Sequence, residues 1–374
     1  MDSYIAQPDR LAELIAAVRR APRVAVDTEA ASFHRYRDRI YLIQISTANQ
    51  TALIDPLAIA DLSSVGAILA DRNIEKTFHD ADYDLRVLDR DYGFRAARLF
   101  DTRIAAQLAG EPAIGLAALL EKYAGVKLAK EHQKADWSQR PLPPPMLAYA
   151  AEDTRHLLAL RDALERRLRD LGRLDWASEE FARLEALRWT GVAEGDTDGY
   201  LRVKGAKGLP PRSLAAFREL HRWRETVAER DDKAPFRVIG NDSLLAVSRA
   251  LPVKAADLAG LKDLPASLAR RHGDALLEAV ARACALPESE LPRLERSARP
   301  PKDPDFDSRV ERLKAVRNRI AAELQIDPGV LCGRTTLEAV ARAAPKDRAG
   351  LAQVGELRRW QANVLGDALL EALR

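Results

Sequence analysis

Cysteine is nearly absent: Cys284 and Cys332 are the only two among 374 residues. Two distant thiols supply neither a disulfide framework nor a zinc ligand set. Long apolar runs are missing as well. No stretch approaches the ~20 residues that a membrane-crossing helix needs, so no membrane association is expected. The opening MDSYIAQPDRLAEL has no basic segment followed by an apolar one, and no secretion signal is expected. A reducing cytoplasm is the expected location. What the chain does hold is 47% hydrophobic and 31% charged residues. That suits several packed cores under a charged surface and argues against disorder. At about 150 residues per domain, two or three domains are expected.

Charge is unevenly spread. Residues 1–200 hold 27 Lys/Arg against 32 Asp/Glu, and the remaining residues hold 32 against 24. An acidic front half suits a site built from carboxylates, and a basic back half suits a polyanion.

Periodicity predicts a first helix over 8–20, with Leu11, Leu14, Ile15 and Val18 at helical spacing. Three β-branched-rich runs follow, at 23–29, 40–47 and 51–56, and their short connections predict an antiparallel meander. A fourth strand is expected over 75–80, then a helix to about Asp91 stopped by Gly93. Later helices are expected over 102–108, 115–124 and, as one long rod, 144–171. Strands early and helices late predict an α/β front domain. The division expected is 1–190 for this domain, a Gly- and Pro-rich linker over 191–212, and a helical domain over 213–290. A Pro-rich linker over 291–305 and a second helical domain over 306–374 complete it. The two helical segments share one pattern and read as an internal repeat, each copy about 70 residues long.

Three short stretches carry the chemistry. In the long helix, Leu157, Leu160, Leu164, Leu168 and Leu171 form an apolar stripe. Extended backwards, the stripe meets Asp153, Tyr149 and Met146. A carboxylate on a buried face needs a cation or donors. In Val26-Asp27-Thr28-Glu29, strand alternation sends Asp27 and Glu29 to one side. Two acids there repel unless a metal lies between them. Oxygen-only ligands of this kind suit Mg²⁺ or Mn²⁺. An aspartic-protease reading fails, because Glu rather than Gly follows Asp27-Thr28. The third stretch, His79-Asp80-Ala81-Asp82-Tyr83-Asp84, sits where a strand becomes a helix. Spacing alone does not choose among its three acids, since Asp80 or Asp82 could simply cap the helix.

Asp27-x-Glu29, His79-x-x-x-x-Asp84-Leu85 and Tyr149-x-x-x-Asp153 together resemble the three exonuclease motifs of the DEDD superfamily, tyrosine subtype. Within it the chain is similar to the ribonuclease D family. Leu42-Ile43-Gln44, Leu53-Ile54-Asp55-Pro56, Phe100-Asp101-Thr102 and Asp136-Trp137-x-x-Arg140-Pro141-Leu142 extend the match. The repeated segments resemble the HRDC domain. The family implies an α/β RNase H-like exonuclease domain, a mixed sheet with helices, followed by two all-α HRDC-type domains. It also implies that Asp27, Glu29, Asp84 and Asp153 hold two divalent cations, Mg²⁺ or Mn²⁺, and that Tyr149 orients the attacking water.

The expected activity is removal of 5′-mononucleotides from RNA with a single-stranded 3′ end, tRNA precursors and other structured RNAs among them. Gln44, His79, Trp137 and Arg140 are candidates for holding the terminal nucleotides. Arg218, Arg222, Arg224 and Arg237 are candidates for gripping phosphates. No stable protein partner is expected. The residue after Glu29 is Ala, and ASFHRYRDR is similar to Werner-type exonuclease sequences, which keeps a 3′→5′ DNA exonuclease as the alternative. A nucleic-acid-binding scaffold is the non-enzyme alternative.

Overall fold

A computed structural model describes residues 3–128, 132–191, 198–294 and 303–374. The front of the chain runs β1 (Ser3–Ile5), α1 (Pro8–Val18), β2 (Arg23–Ala30), β3 (Ile40–Ser46), β4 (Thr51–Ile54), α2 (Ser63–Ala70), β5 (Glu75–Phe78) and α3 (Asp82–Tyr92). It continues with β6 (Leu99–Asp101), α4 (Thr102–Leu108), α5 (Leu116–Ala124), α6 (Pro144–Arg155), α7 (Leu157–Asp170) and α8 (Leu174–Glu185). The strands form one mixed sheet in the order β1-β4-β3-β2-β5-β6. β3 and β4 are antiparallel, while β1–β4, β2–β5 and β5–β6 are parallel. β2 therefore lies inside the sheet, as its apolar start predicts. All seven β3 residues are buried, the pattern of a strand covered on both faces. Gly93 ends α3 in the left-handed conformation expected of a stop signal.

The rod expected over 144–171 is two helices, broken at His156, whose ψ is −1°. The buried faces explain the break. α6 turns Met146, Ala150, Ala151 and Thr154 inward, with Thr154 hydrogen-bonded to Ser46 of β3 at 2.7 Å. α7 buries Leu157, Leu160, Leu164 and Leu168, against α4 and α5. One straight stripe does not serve both surfaces. The strands β1 and β6 and the helices α2 and α8 add to the elements the sequence predicts.

The helical segments are α9 (Pro211–Arg230), α10 (Pro235–Val238), α11 (Asn241–Ala250), α12 (Ala255–Ala259) and α13 (Ala266–Cys284), then α14 (Phe306–Leu324), α15 (Pro328–Leu331), α16 (Arg334–Ala343), α17 (Arg348–Ala352) and α18 (Arg359–Leu373). The repeat extends to the turns. Left-handed residues stand 93 positions apart in both cases, Asp232 with Gln325 and Leu251 with Ala344.

Contacts divide the chain into two compact units rather than three successive bodies. The first holds residues 1–29, 40–189 and 301–374, so the second helical copy shares the core of the sheet. Trp176 of α8 stacks on Trp360 of α18 with centroids 4.9 Å apart. Glu179 accepts the backbone N–H groups of Arg359 and Trp360 at 2.9 and 3.1 Å, capping α18 from outside. The second unit holds residues 30–39 and 190–300 around Phe217, Leu220, Leu244, Val247 and Leu276. Tyr200, Ala206 and Leu209, expected in a linker, are buried in that core. Residues 192–197 of that linker and 295–302 of the Pro-rich one lie outside the described residues.

Candidate active site

Asp27 and Glu29 project from the interior strand β2, and Asp153 from the last turn of α6. One carboxylate oxygen from each lies within 4.8 Å of the others. Asp84 sits behind them, buried in the first turn of α3 and accepting a hydrogen bond from Thr28 Oγ1. Of the three acids at that turn, Asp80 pairs with Arg103 and Asp82 with Arg86 at 2.7 Å. Both point away to solvent partners, which leaves Asp84 as the inward group.

Asp101 fixes this turn. It accepts from Ala81 N at 2.7 Å and from Ile104 N at 2.9 Å, tying the start of α3 to the start of α4.

The electrostatics are one-sided. Burial, with Asp153 nearby, pushes Asp27 well above the usual carboxylate range. Burial and the charges of Asp27, Asp153 and Asp84 do the same to Glu29. Burial and Asp27 raise Asp84 against the bond from Thr28. Burial lifts Asp153 to about 7, although the Tyr149 hydroxyl donates to it. Among the described residues no Lys or Arg forms an ion pair with any of the four. Crowded, half-buried to buried carboxyls without a counter-charge call for a cation, and an all-oxygen donor set fits a hard divalent one.

A cavity of about 180 Å³ opens onto the cluster, lined by Asp27, His79, Leu116, Ala117, Leu128, Gln133, Tyr149, Asp153 and Leu157. Larger clefts of about 510 and 730 Å³ lie elsewhere in this unit. Neither gathers acids without counter-charges, so chemistry rather than volume selects the small one. Burial and the neighbouring carboxylates raise the Tyr149 phenol, which stays protonated at neutral pH. Thr102 Oγ1 donates to Phe78 O at 3.0 Å and meets His79 Nδ1 at 2.9 Å. The threonine proton is thereby used, so Nδ1–H donates and Nε2 is left as the acceptor. Burial lowers the imidazole to about 4 and keeps it neutral.

The comparisons with known proteins agree with this chemistry. Residues 3–169 match the 3′-5′ exonuclease family, and residues 213–280 and 306–373 each match the HRDC domain. Ribonuclease D of Pseudomonas paraeruginosa is 32% identical over 358 residues, 95% of this chain and 93% of that one. The chain belongs to the ribonuclease D family. The crystal structure of Escherichia coli RNase D, described as an exoribonuclease involved in structured RNA processing, aligns over 100% of this chain and 98% of its own. That alignment has a TM-score of 0.73 at 30% identity. The catalytic core of RRP6 from Trypanosoma brucei aligns over 76% of this chain and 81% of its own, with a TM-score of 0.65 at 31% identity. This ribonuclease D family member is a 3′→5′ exoribonuclease.

Within this ribonuclease D fold, only His79 among the four expected nucleotide contacts lines the cavity. Gln44 is fully buried on β3, with neither amide atom hydrogen-bonded. It has no surface to offer a substrate. Trp137 is 1% exposed and packs on Tyr149 with centroids 6.2 Å apart. It backs the tyrosine and presents no face to a base. Arg140 grips Asp55 through two bonds of 2.7 and 2.8 Å and donates to Tyr41 O at 2.7 Å. It fastens the 137–142 loop to the end of β4.

The HRDC arginines are also engaged. Arg218 and Arg222 lie 3.4 and 3.3 Å from Glu219. Arg224 is buried against Asn241 and Glu225, and Arg237 donates to Phe33 O. Leu116, Ala117, Leu128 and Gln133 line the cavity without any sequence signal that marks them.

Proposed function

We propose that this exoribonuclease shortens RNA from a single-stranded 3′ end, one 5′-mononucleotide at a time, by hydrolysis assisted by two divalent cations. tRNA precursors and other structured RNAs in the cytoplasm are its substrates. The observation that carries the mechanism is the meeting of Asp27, Glu29 and Asp153 within 4.8 Å with no cationic side chain paired to them among the described residues.

In this reading Asp27, Glu29 and Asp153 hold one Mg²⁺ or Mn²⁺, and Asp27 with Asp84 a second. Bound there, the ions supply charge stabilisation to the phosphate and acidity to a water. The protein's own contribution is placement. β2 presents two acids from a strand that is hydrogen-bonded on both sides. Thr28 and Asp101 set Asp84. Tyr149, protonated and backed by Trp137, orients the water with its hydroxyl. His79 Nε2 accepts a hydrogen bond from the terminal nucleotide at the cavity wall.

The test incubates a 3′-tailed tRNA and the matching DNA oligomer with Mg²⁺ or Mn²⁺ and reads products by length. Metal-dependent release of mononucleotides from the RNA is expected. Asp27→Asn should abolish turnover while single-stranded RNA still binds. Full activity in that variant, or a preference for the DNA, would refute the reading.

A further inference from the structure

In the second unit, the chain that leaves β2 after Glu29 is bound by the first HRDC copy. Residues 30–39 lie with this unit, and Tyr36 packs against its core. Asp232, in the left-handed turn after α9, pairs with Arg35 at 3.3 Å and accepts from Tyr36 N at 3.3 Å. Ala234 N donates to His34 O at 3.2 Å, and Arg237 Nε donates to Phe33 O. The backbone is held from both ends of the α9–α10 connection. Even so, this anchored loop leaves two rings in solvent. Phe33 is 46% exposed and Phe236 of α10 is 54% exposed, and they meet edge to face with centroids 6.2 Å apart. Two exposed rings in contact on a fixed backbone offer an aromatic face to a ligand.

The geometry points to a stacking platform, Phe33 with Phe236, for unpaired bases of the RNA upstream of the scissile 3′ end. Three observations choose that occupant. The segment follows Glu29 directly in the chain, and Phe33 is four residues on. The unit is cationic, with 22 Lys/Arg against 17 Asp/Glu over residues 30–39 and 190–300, which suits a polyanion. Every base has a face that stacks on an aromatic ring whatever its sequence, which suits an enzyme that shortens varied RNA tails. The inference rests on the RNA-shortening reading above and adds where the tail is held and by which residues.

The experiment places 2-aminopurine at successive positions upstream of the 3′ end of a single-stranded RNA and reads its fluorescence on binding in EDTA. Wild type is expected to quench the probe at positions that reach the rings. Phe33→Leu and Phe236→Leu keep apolar bulk but no aromatic face, and should relieve that quenching. Phe33→Trp should retain it. With metal, each Leu variant should raise the KM for a tailed RNA about 5-fold or more, while the KM for a dinucleotide, too short to reach, stays level.

Unchanged quenching and unchanged KM in both Leu variants overturn the platform. So does a Leu variant that alters only the sedimentation of the protein, which would assign the rings to a protein contact. A wild type that binds and quenches in EDTA yet releases no nucleotide with metal sinks the hydrolytic reading and leaves the platform standing.

Discussion

If burial and mutual repulsion together raise the carboxylate cluster, the metal-free protein should lose stability as pH rises, and neutralising one acid should remove its share of that loss. Asp153 is the group to neutralise, because its side chain reaches the cavity and an Asn keeps its shape. Burial and its neighbours lift the carboxyl from 3.8 to about 7. The folded protein therefore binds a proton more tightly than the unfolded chain between those values. Stability from this group is fully present below about pH 4 and is lost as pH rises toward 7. Each tenfold in proton affinity is worth ~1.4 kcal/mol, so the whole span sets a ceiling of about 4 kcal/mol. The carboxyl is half-buried and shares its repulsion with Asp27 and Glu29, which brings the expected share to about 1–3 kcal/mol.

The assay is scanning calorimetry in EDTA from pH 5 to pH 8, wild type beside Asp153→Asn. His79, held near 4, has the opposite sign and loses stability as pH falls, but it is present in both proteins and cancels in their difference. The gap in Tm, Asn variant above wild type, should widen by a few degrees across the range. Millimolar Mn²⁺ should close it by stabilising wild type alone. A gap that stays constant with pH, or an equal response to Mn²⁺ in both proteins, would show that the folded protein does not raise the Asp153 carboxyl and that the cluster needs no cation.

Tyr149→Phe should lower kcat about 10- to 100-fold, a hydroxyl's worth of positioning and hydrogen bonding, with little change in the Mn²⁺ midpoint of the melt. Arg161 is buried over Phe100 and holds Glu75 at 2.7 and 2.9 Å; Arg161→Met should cost about 3–5 kcal/mol in urea unfolding by stranding that acid. Adding Glu75→Gln should recover most of the loss. Trp360→Ala removes the stack on Trp176 and should cost about 3–5 kcal/mol, read as faster hydrogen exchange along α18 together with α8.

The first two motifs were legible because their logic is local. Alternation along β2 is enough to pair Asp27 with Glu29, and helical spacing is enough to pair Tyr149 with Asp153. Spacing alone left Asp80, Asp82 and Asp84 open, and the resemblance carried over Asp84; the physical reason needed the fold, since the partners that dispose of Asp80 and Asp82 include Arg103, which spacing along α3 does not reveal. The nucleotide contacts misled for the same reason. Arg140 and Trp137 sit beside the expected site in sequence, yet Arg140's partner Asp55 is 85 positions away, and Trp137 faces Tyr149 across a loop. Gln44 lies on a strand whose burial on both faces depends on neighbours from elsewhere in the chain. The break at His156 carries no Pro or Gly to mark it. β1 and β6 are three residues each, too short for any period to show.

The two HRDC copies make a related point about what a repeat determines. Their turns coincide, but the same turn has been put to different uses. At the first copy's left-handed position stands Asp232, an acceptor that binds Arg35 and the Tyr36 N–H. At the second stands Gln325, whose side chain carries no charge. Its carbonyl instead closes on Gly110, where an added Cβ would come within 2.3 Å of that oxygen. Gly110 has φ +79°, so both the conformation and the closeness demand glycine there. Beside it, Arg173 donates to Leu108 O at 2.8 Å and to Leu324 O at 2.6 Å, satisfying a carbonyl at the end of α4 and another at the end of α14. One copy thus spends its turn on side-chain recognition of the loop that leaves the catalytic strand. The other spends it on backbone packing that makes it part of the catalytic body. Shared helices and turns define the module, and a single residue in the turn decides what it holds.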